Sequence, residues 1–136
     1  MRELDQRVKD LALYRLQRAK EDLNSARNNL NSEDYRTANN RSYYAIFHSL
    51  RAILALDEYD SKKHSGIISE FRNKYIRTHV FDSEISDMIG DAFEVRNKSD
   101  YDDMYIISKA KTQEQVENAE KIIYAVEKYM QSEEII

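Results

Sequence analysis

The side chains best suited to chemistry begin in the middle of the chain, in residues 41–56. Arg41 and His48 are seven residues apart, and Arg51 follows three residues after His48, so in a helix all three lie near one stripe. A cationic stripe on a mostly apolar helix costs stability unless it meets water, a carboxylate or a phosphate. The spacing is consistent with an ordinary surface edge with a salt bridge and also with an anion-binding site.

Two further segments carry residue types that bind anions. Residues 62–66, Lys-Lys-His-Ser-Gly, stand at a predicted helix start, where free backbone N–H groups also favour anions. A solvated helix start is the structural alternative. Residues 96–101, Arg-Asn-Lys-Ser-Asp-Tyr, place an always-charged planar donor near a predicted helix end. That arginine could instead satisfy the last carbonyls of its helix or pair with Asp100.

Several other kinds of chemistry find no support in the residue pattern. The histidines at positions 48, 64 and 79 lack the H-x-x-x-H or H-E-x-x-H spacing that brings two metal ligands to one helix face. The chain has no cysteine, which excludes disulfides, thiolate metal sites and a cysteine nucleophile. It also has no glycine-rich phosphate loop and no G-x-S-x-G motif. We therefore expect neither a metal site nor a cofactor.

The composition is typical of a nearly all-helical protein. The chain of 136 residues has the size of one domain, which we expect to span residues 1–136. Two glycines and no proline indicate helices with short connections, because these residues are the common helix breakers. The N-terminus lacks the apolar run of a signal peptide, and no stretch approaches the roughly 18 apolar residues of a membrane span. We expect a cytoplasmic protein that does not bind a membrane.

The net charge of −4 conceals an uneven distribution. Residues 36–80 carry a net charge of +4 and residues 81–136 carry −8, whereas residues 1–35 are neutral. A protein that coats nucleic acid nonspecifically is usually basic overall, and this chain is not. A local anion site in the middle third remains possible. The acidic last third would repel bulk nucleic acid or face a basic partner.

Apolar residues at steps of three and four predict five amphipathic helices. The stripe of the first helix begins with Leu4, Val8 and Leu11. We expect helices over about residues 3–31, 34–57, 62–77, 83–98 and 112–132. Candidate caps are Ser32 or Asp34, Ser61, Ser83 and Thr112. Residues 99–111 are predicted either as a loop that packs onto the bundle through residues 105–107 or as one more helical turn.

Aromatic side chains are frequent in the helix that contains residues 41–56. Five helices with so many apolar positions, including Tyr43, Tyr44 and Phe47, would leave an apolar face exposed. Such a face is commonly covered by a second copy of the same chain. The sequence therefore predicts a homodimer.

Three blocks of the sequence resemble the HEPN superfamily. They read R-S-Y-Y-A-I-F-H-S-L-R-A-I-L at residues 41–54, K-K-H-S-G-I-I at residues 62–68 and R-N-K-S-D-Y-D at residues 96–102. The chain is most similar to small, stand-alone HEPN proteins with the patterns R-x-Y-Y-A-x-F-H, H-S-G and R-x-x-x-D-Y. The resemblance implies an all-α, five-helix, up-and-down bundle that dimerises. Such proteins are often encoded beside a minimal nucleotidyltransferase as a toxin–antitoxin pair.

The resemblance also implies roles for particular residues. In active HEPN ribonucleases an arginine is followed, after four to six residues, by a histidine, and the two cleave RNA at a dimer cleft without metal. Arg96 matches the arginine, which stabilises charge on the phosphate oxygens. Tyr101 stands where the histidine could, and a phenol with an ordinary pKa of about 10 is a poor base at neutral pH. His48 is a candidate for the missing base, since an imidazole with a pKa of about 6.5 suits that task.

Two functions therefore remain open. The first is a HEPN toxin-like protein that binds RNA, and cuts it, at a dimer cleft, with Arg96, Tyr101 and His48 as catalytic candidates. The residues expected to contact RNA or a nucleotide are Arg41, Arg51, Lys63, His64, Lys98 and Asp100. The second is a binding module without catalysis, which holds RNA or a nucleotide or serves as the dimeric partner of a minimal nucleotidyltransferase. A plain scaffold, whose cations only pair with carboxylates, is a third alternative.

Overall fold

The computed structural model describes residues 3–136, so Met1 and Arg2, which the single-domain prediction includes, lie outside the described residues. This part of the chain contains five α-helices and no strand, which confirms the predicted all-α fold. None of its helices combines the length and hydropathy of a transmembrane span. The helices are α1 (Gln6–Asn31), α2 (Tyr35–Ala55), α3 (His64–Phe71), α4 (Ser83–Tyr101) and α5 (Lys109–Ser132), and α3 continues as a π-helical turn, Arg72–Ile76.

Helix α2 is the central element of the bundle. It packs most extensively against α1 and also contacts α3, α4 and α5. Ala12, Ala19 and Ala26 recur every seven residues along α1 and are fully buried, which lets the neighbouring helices approach closely. On α2, Leu50 and Ile53 have no exposed surface, and each such side chain stabilises the fold by about 1.5–3 kcal/mol. The side chains of α2 therefore project from a closely packed helix.

Helix α3 and its π-helical continuation together cover residues 64–76, close to the predicted span of 62–77, but the predicted cap is wrong. The Ser61 hydroxyl accepts the backbone N–H of Lys63 at 3.2 Å in the preceding loop, and the helix begins at His64 without a side-chain cap. A Cβ added at Gly66 would lie 2.5 Å from the Ser61 Oγ. A side chain at residue 66 would therefore displace the Ser61 hydroxyl where this loop folds back onto the first turn of α3.

The junction between α4 and α5 also differs from the prediction. Helix α4 continues past residue 98 to Tyr101, and its first residue, Ser83, follows the cap position instead of occupying it. Residues 102–108 form a loop that packs onto the bundle through the buried Ile107. Ser108 caps α5 by accepting the N–H of Lys111 at 3.0 Å. Thr112, the predicted cap, is buried in the first turn and donates its hydroxyl to the Ser108 carbonyl.

Two predictions about the surface are wrong. Leu11 is 43% exposed instead of facing the core. Tyr43 and Phe47 are buried within one chain, because α2 is enclosed by other helices, so they leave no exposed apolar face. The large apolar side chains that are most exposed in the described residues follow the end of α4 instead, at Met104 and Ile106.

Candidate functional site

Arg96 lies near the end of α4, and aromatic rings surround its guanidinium group. Its Cζ is 5.3 Å from the ring centre of Tyr43, 6.0 Å from that of Tyr44 and 5.5 Å from that of Tyr101. All three distances fall in the range of cation–π contacts, about 6 Å or less. Helix α2 supplies the first two rings and the end of α4 supplies the third. The rings fix the planar cation without using its N–H donors.

The N–H groups of Arg96 make only long or poorly aligned polar contacts. Nη1 donates to Asn97 Oδ1 and Nη2 donates to the Tyr44 hydroxyl, each at 3.4 Å. Nε lies 3.1 Å from Asp100 Oδ2 as an ion pair, but the N–H is not aligned for a hydrogen bond with any described residue. Burial lowers the pKa of Arg96, while Tyr44, Tyr101, Asp100 and Tyr43 together raise it above its ordinary value. The guanidinium is charged and retains donor capacity for an anion.

His64 begins α3 and joins the same aromatic cluster. Its Nδ1 is 2.7 Å from the Tyr43 hydroxyl, and its ring stacks on Phe47 with centroids 4.1 Å apart. Burial lowers the pKa of His64, and the nearby cations Arg96 and Arg51 lower it further. The imidazole is therefore neutral at pH 7. It also lines an open cleft of about 560 Å³.

His48 lies on α2 and faces a carboxylate of α1. Its Nε2 is 3.6 Å from Asp22 Oδ2, while Arg41 donates to Asp22 Oδ1 at 3.0 Å. Asp22 is only 7% exposed. Burial lowers the pKa of His48; Asp22 opposes this shift, and Arg18, Arg51 and Arg41 reinforce it. His48 thus belongs to a charge network at the α1–α2 interface.

Tyr44 lies between the two histidine neighbourhoods. The Cζ of Arg41 is 5.1 Å from the Tyr44 ring centre, and the His48 and Tyr44 rings are 6.0 Å apart. On the polar side, Arg41 donates to Asn40 Oδ1 at 2.7 Å, and the Asn40 amide donates to Asp100 Oδ2 at 3.5 Å. Polar contacts therefore run without interruption from the α1–α2 interface to the end of α4.

Most of the residues predicted from the sequence gather around Tyr43 and Tyr44, namely Arg41, His48, His64, Arg96, Asp100 and Tyr101. Arg51 pairs with Asp60 at 2.9 Å and lines the cleft beside His64. Lys63 is exposed at the start of α3, and Lys98 pairs with Glu94 at 2.8 Å on an exposed face. Between residues 3 and 136, no group of three or more His, Asp or Glu side chains is placed to hold a metal ion.

Four residues of this cluster were not identified from the sequence as site residues. Tyr43 and Tyr44 were interpreted as apolar surface, although two adjacent phenols close to Arg41 and His48 in the sequence are a usable signal for a polar role. Asp22 occupies a core position between Ala19 and Ala26, and a carboxylate at such a position indicates a buried ion pair. Asn40 gave no signal, because an asparagine next to an arginine is common on helix surfaces.

Comparison with known proteins identifies the family. The family described as "HEPN domain" matches residues 12–129. The chain belongs to the HEPN family. It is 31% identical to "Putative toxin MJ0142" of Methanocaldococcus jannaschii over 121 residues. This alignment covers 89% of this chain and 82% of that protein. It is 29% identical over 118 residues to a "UPF0332 protein" of Thermotoga maritima, covering 87% of this chain and 89% of that protein.

A second Methanocaldococcus jannaschii protein, "Putative toxin MJ0605", is 32% identical over 112 residues, covering 82% of this chain and 78% of that protein. The family match spans all three sequence blocks at residues 41–54, 62–68 and 96–102. The resemblance to small HEPN proteins that these blocks indicated is therefore confirmed.

Proposed function

We propose that this chain is a toxin-like HEPN protein that acts on RNA at the site around Arg96, as an endoribonuclease that needs no metal. The supporting observation is the state of the Arg96 guanidinium, which three tyrosine rings hold and which makes no hydrogen bond shorter than 3.4 Å with the described residues. Its Nε forms an ion pair with Asp100 at 3.1 Å, but this N–H makes no hydrogen bond with the described residues, and such a buried donor without a well-aligned partner calls for an explanation. A phosphate would be such a partner, because arginine binds phosphate through paired N–H bonds.

The proposed reaction uses groups that RNA itself provides. The 2′-hydroxyl attacks the adjacent phosphorus, the bond to the 5′-oxygen breaks, and the products are a 2′,3′-cyclic phosphate and a 5′-hydroxyl. Negative charge builds on the non-bridging oxygens, where Arg96 would stabilise it. Tyr101 would orient the phosphate or donate a proton to it. Arg41, Arg51 and Lys63 would bind the flanking phosphates.

We further assign the active form to a homodimer. Beyond Arg96 the chain exposes Tyr101 by 73%, Met104 by 87% and Ile106 by 90%. Large apolar side chains exposed together in one segment are typical of an interface. In a two-fold interface each copy contributes the same surface, here the segment after α4. The Arg96 sites of the two copies would then face one shared cleft.

Sedimentation velocity tests the dimer. We expect a dimer at tens of micromolar for the native chain and a monomer for the double variant Met104→Asp, Ile106→Asp. Leu11→Asp is the matched control, because Leu11 is also an exposed apolar side chain, at 43%, on a different helix. A native chain that sediments only as a monomer would contradict the assignment.

Cleavage of mixed cellular RNA in EDTA tests the proposed activity. We expect cleavage by the native chain and a rate lowered by about 10²–10³ in Arg96→Ala, the loss typical for removing one stabiliser of transition-state charge. Arg27→Ala is the control, because Arg27 is an exposed arginine that pairs with Glu120 at 2.7 Å on the α1–α5 side. Cleavage that stops in EDTA, or that is equal in Arg96→Ala and the native chain, would contradict the proposal.

A binding module without catalysis is the second candidate, and Tyr101 is the observation that favours it. A phenol occupies the position where active family members have a histidine, and the exposed segment beside it would serve as a docking surface. On this alternative the chain binds RNA or a nucleotide through Arg96, or pairs with a minimal nucleotidyltransferase. A folded dimer that cleaves no RNA, yet co-purifies with the product of the neighbouring gene, would establish it.

A further inference from the structure

We propose that His64, and not His48, is the general base of this site. The proposal rests on the ribonuclease function proposed above and names the residue that accepts the proton. His64 lies outside the segment from Arg96 to Tyr101, and α3 brings it to the cluster from the opposite side. It supplies the imidazole that this segment lacks.

The first argument is the position of His64 relative to Arg96. Tyr43 contacts both side chains: its ring centre is 5.3 Å from the Arg96 Cζ and 5.7 Å from the His64 ring centre. Arg96 is also close enough to act electrostatically on His64, where it adds to the effect of burial in lowering the pKa. Tyr43 therefore links the two side chains, and the proposal requires one RNA segment to reach both Arg96 and His64.

The second argument is the hydrogen bond between His64 and Tyr43. Burial raises the pKa of the Tyr43 hydroxyl, so Tyr43 is a neutral phenol that can either donate to Nδ1 or accept from it at 2.7 Å. The proposed base uses the tautomer in which Nδ1 carries the proton and donates it to the phenol oxygen. In that tautomer Nε2 carries the lone pair, and no described residue forms a hydrogen bond with it. The stack on Phe47 fixes the plane of the ring. A general base needs such a fixed orientation and one free nitrogen.

The third argument is access from solvent. His64 lines the cleft of about 560 Å³ together with Arg51, Lys62, Phe47, Asp60 and Ser61. The two cations favour the approach of a polyanion, and Asp60 is held in an ion pair with Arg51. Neither His48 nor Arg96 is among the residues that line this cleft. The His48 Nε2 faces the buried Asp22 at 3.6 Å, whereas Arg96 is linked to His64 through Tyr43, which contacts both.

The proposed step balances without a metal or a further reactant other than water. Nε2 of His64 takes the proton of the 2′-hydroxyl while the 2′-oxygen forms its bond to phosphorus. The bond from phosphorus to the 5′-oxygen breaks, and the 5′-oxygen takes a proton from water. The hydroxide formed in this way removes the proton from the imidazolium, which restores neutral His64. Arg96 balances the charge on the phosphate throughout.

Cleavage kinetics of four variants test the assignment with single-stranded RNA as the probe. We expect His64→Gln to lower kcat/KM by about 10²–10⁴, the range for losing a general base, while RNA affinity stays within a few-fold. His64→Ala should regain part of its activity when free imidazole is added, because the open cleft admits it. His79→Asn is the control, since His79 is exposed and has a φ of 62°, which asparagine tolerates.

A pH profile separates a base from a merely structural residue. The native rate should rise with pH through the titration of the base, and His64→Gln should lack this limb. Cleavage kept in His64→Gln but lost in His48→Gln would overturn the assignment and leave the ribonuclease function standing. A folded native dimer that cleaves no RNA would overturn both. Thermal unfolding of each variant confirms that the chain compared is folded.

Discussion

His48 and His64 both lie beside Tyr44, and burial is the main cause that lowers the pKa of each, yet their surroundings differ. His48 faces a buried carboxylate that an arginine also holds. His64 faces a phenol and an open cleft. Asp22 favours the charged form of His48 but does not outweigh burial and the nearby arginines, so the pKa of both histidines is lowered. They differ because Asp22 faces the Nε2 of His48, whereas the Nε2 of His64 has no hydrogen-bond partner in the described residues. The partner decides what the same residue type can do.

The comparison predicts that substitutions near His48 change stability and that substitutions near His64 change activity. The network of His48, Asp22 and Arg41 holds two helices together, and Asp22 and Arg41 compensate each other's charge. Each region contains a buried atom without a hydrogen-bond partner in the described residues, Asp22 Oδ2 in the first and Arg96 Nε in the second. The His64 cluster differs because His64 also lines an open cleft, where a ligand can reach it.

The largest stability effect is expected for Asp22→Ala. This change leaves Arg41 without its counter-charge and His48 without its neighbouring carboxylate, and we expect the free energy of unfolding to fall by about 2–3 kcal/mol. The loss is smaller than for a fully buried pair because the Arg41 side chain is 34% exposed. Urea denaturation measures it. Asp60→Ala, whose side chain is 50% exposed, is the control and should lose less than about 1 kcal/mol. Equal losses would show that the buried Asp22 contributes no more to stability than the exposed Asp60.

The next effect is on the pH dependence of stability. Both histidines have a lowered pKa in the folded chain, so below pH ~6.5 the unfolded chain binds protons more readily than the folded one. Stability is therefore fully present above that pH and is lost as the pH falls towards the folded pKa. Each histidine contributes a slope of at most about 1.4 kcal/mol per pH unit.

Denaturation between about pH 5 and pH 8 checks this slope. His48→Gln and His64→Gln should each flatten the curve, and the effect should be larger for His48, which is the more enclosed residue. His79→Asn should leave the curve unchanged. A curve that neither histidine variant flattens would mean that burial does not hold these side chains neutral.

The smallest effect is expected for Tyr43→Phe. Removing one hydroxyl should cost about 1 kcal/mol of unfolding free energy, because a single hydrogen bond is lost. The change should be visible at one histidine only: NMR should show an altered tautomer equilibrium and pKa for His64 and no change for His48. Tyr14→Phe, at a ring 58% exposed, is the control. A shift at both histidines would show that Tyr43 acts through the packing of α2.

Much of the fold could be predicted because α1, α2 and α5 carry regular apolar stripes, which burial then enforces. The helix starts were harder to predict, since several hydroxyls compete for each cap and only tertiary contacts decide between them. The hydroxyl of Thr112 is already engaged with the Ser108 carbonyl and with Asn39 at 2.8 Å. The extension of α4 follows from the ion pair between Arg96 and Asp100, which stabilises one more turn.

Several individual residues of the site could be predicted from the sequence, but their positions relative to one another could not. Arg96 and His64 stand out by type and by motif, but their relation depends on Tyr43, which lies on a different helix from either. Long-range placement of this kind leaves no local pattern in a single sequence. His48 was named as the candidate base because an ordinary imidazole pKa of about 6.5 suits that task, and His64 was named as a residue that contacts RNA or a nucleotide. In the fold, α3 brings His64 to the cluster.

The pairing of α1 with α2, through the short connection at residues 32–34, has a consequence for the order of folding. A helical hairpin of local contacts forms early, so the His48 network can assemble while α3 and α4 are still undocked. The His64 cluster needs three helices at once, and we expect native-state hydrogen exchange to be slowest in α1 and α2 and faster in α3. Equal protection would argue against this order. Undocking of α3 alone would then remove the proposed activity of the His64 cluster while α1 and α2 stay folded.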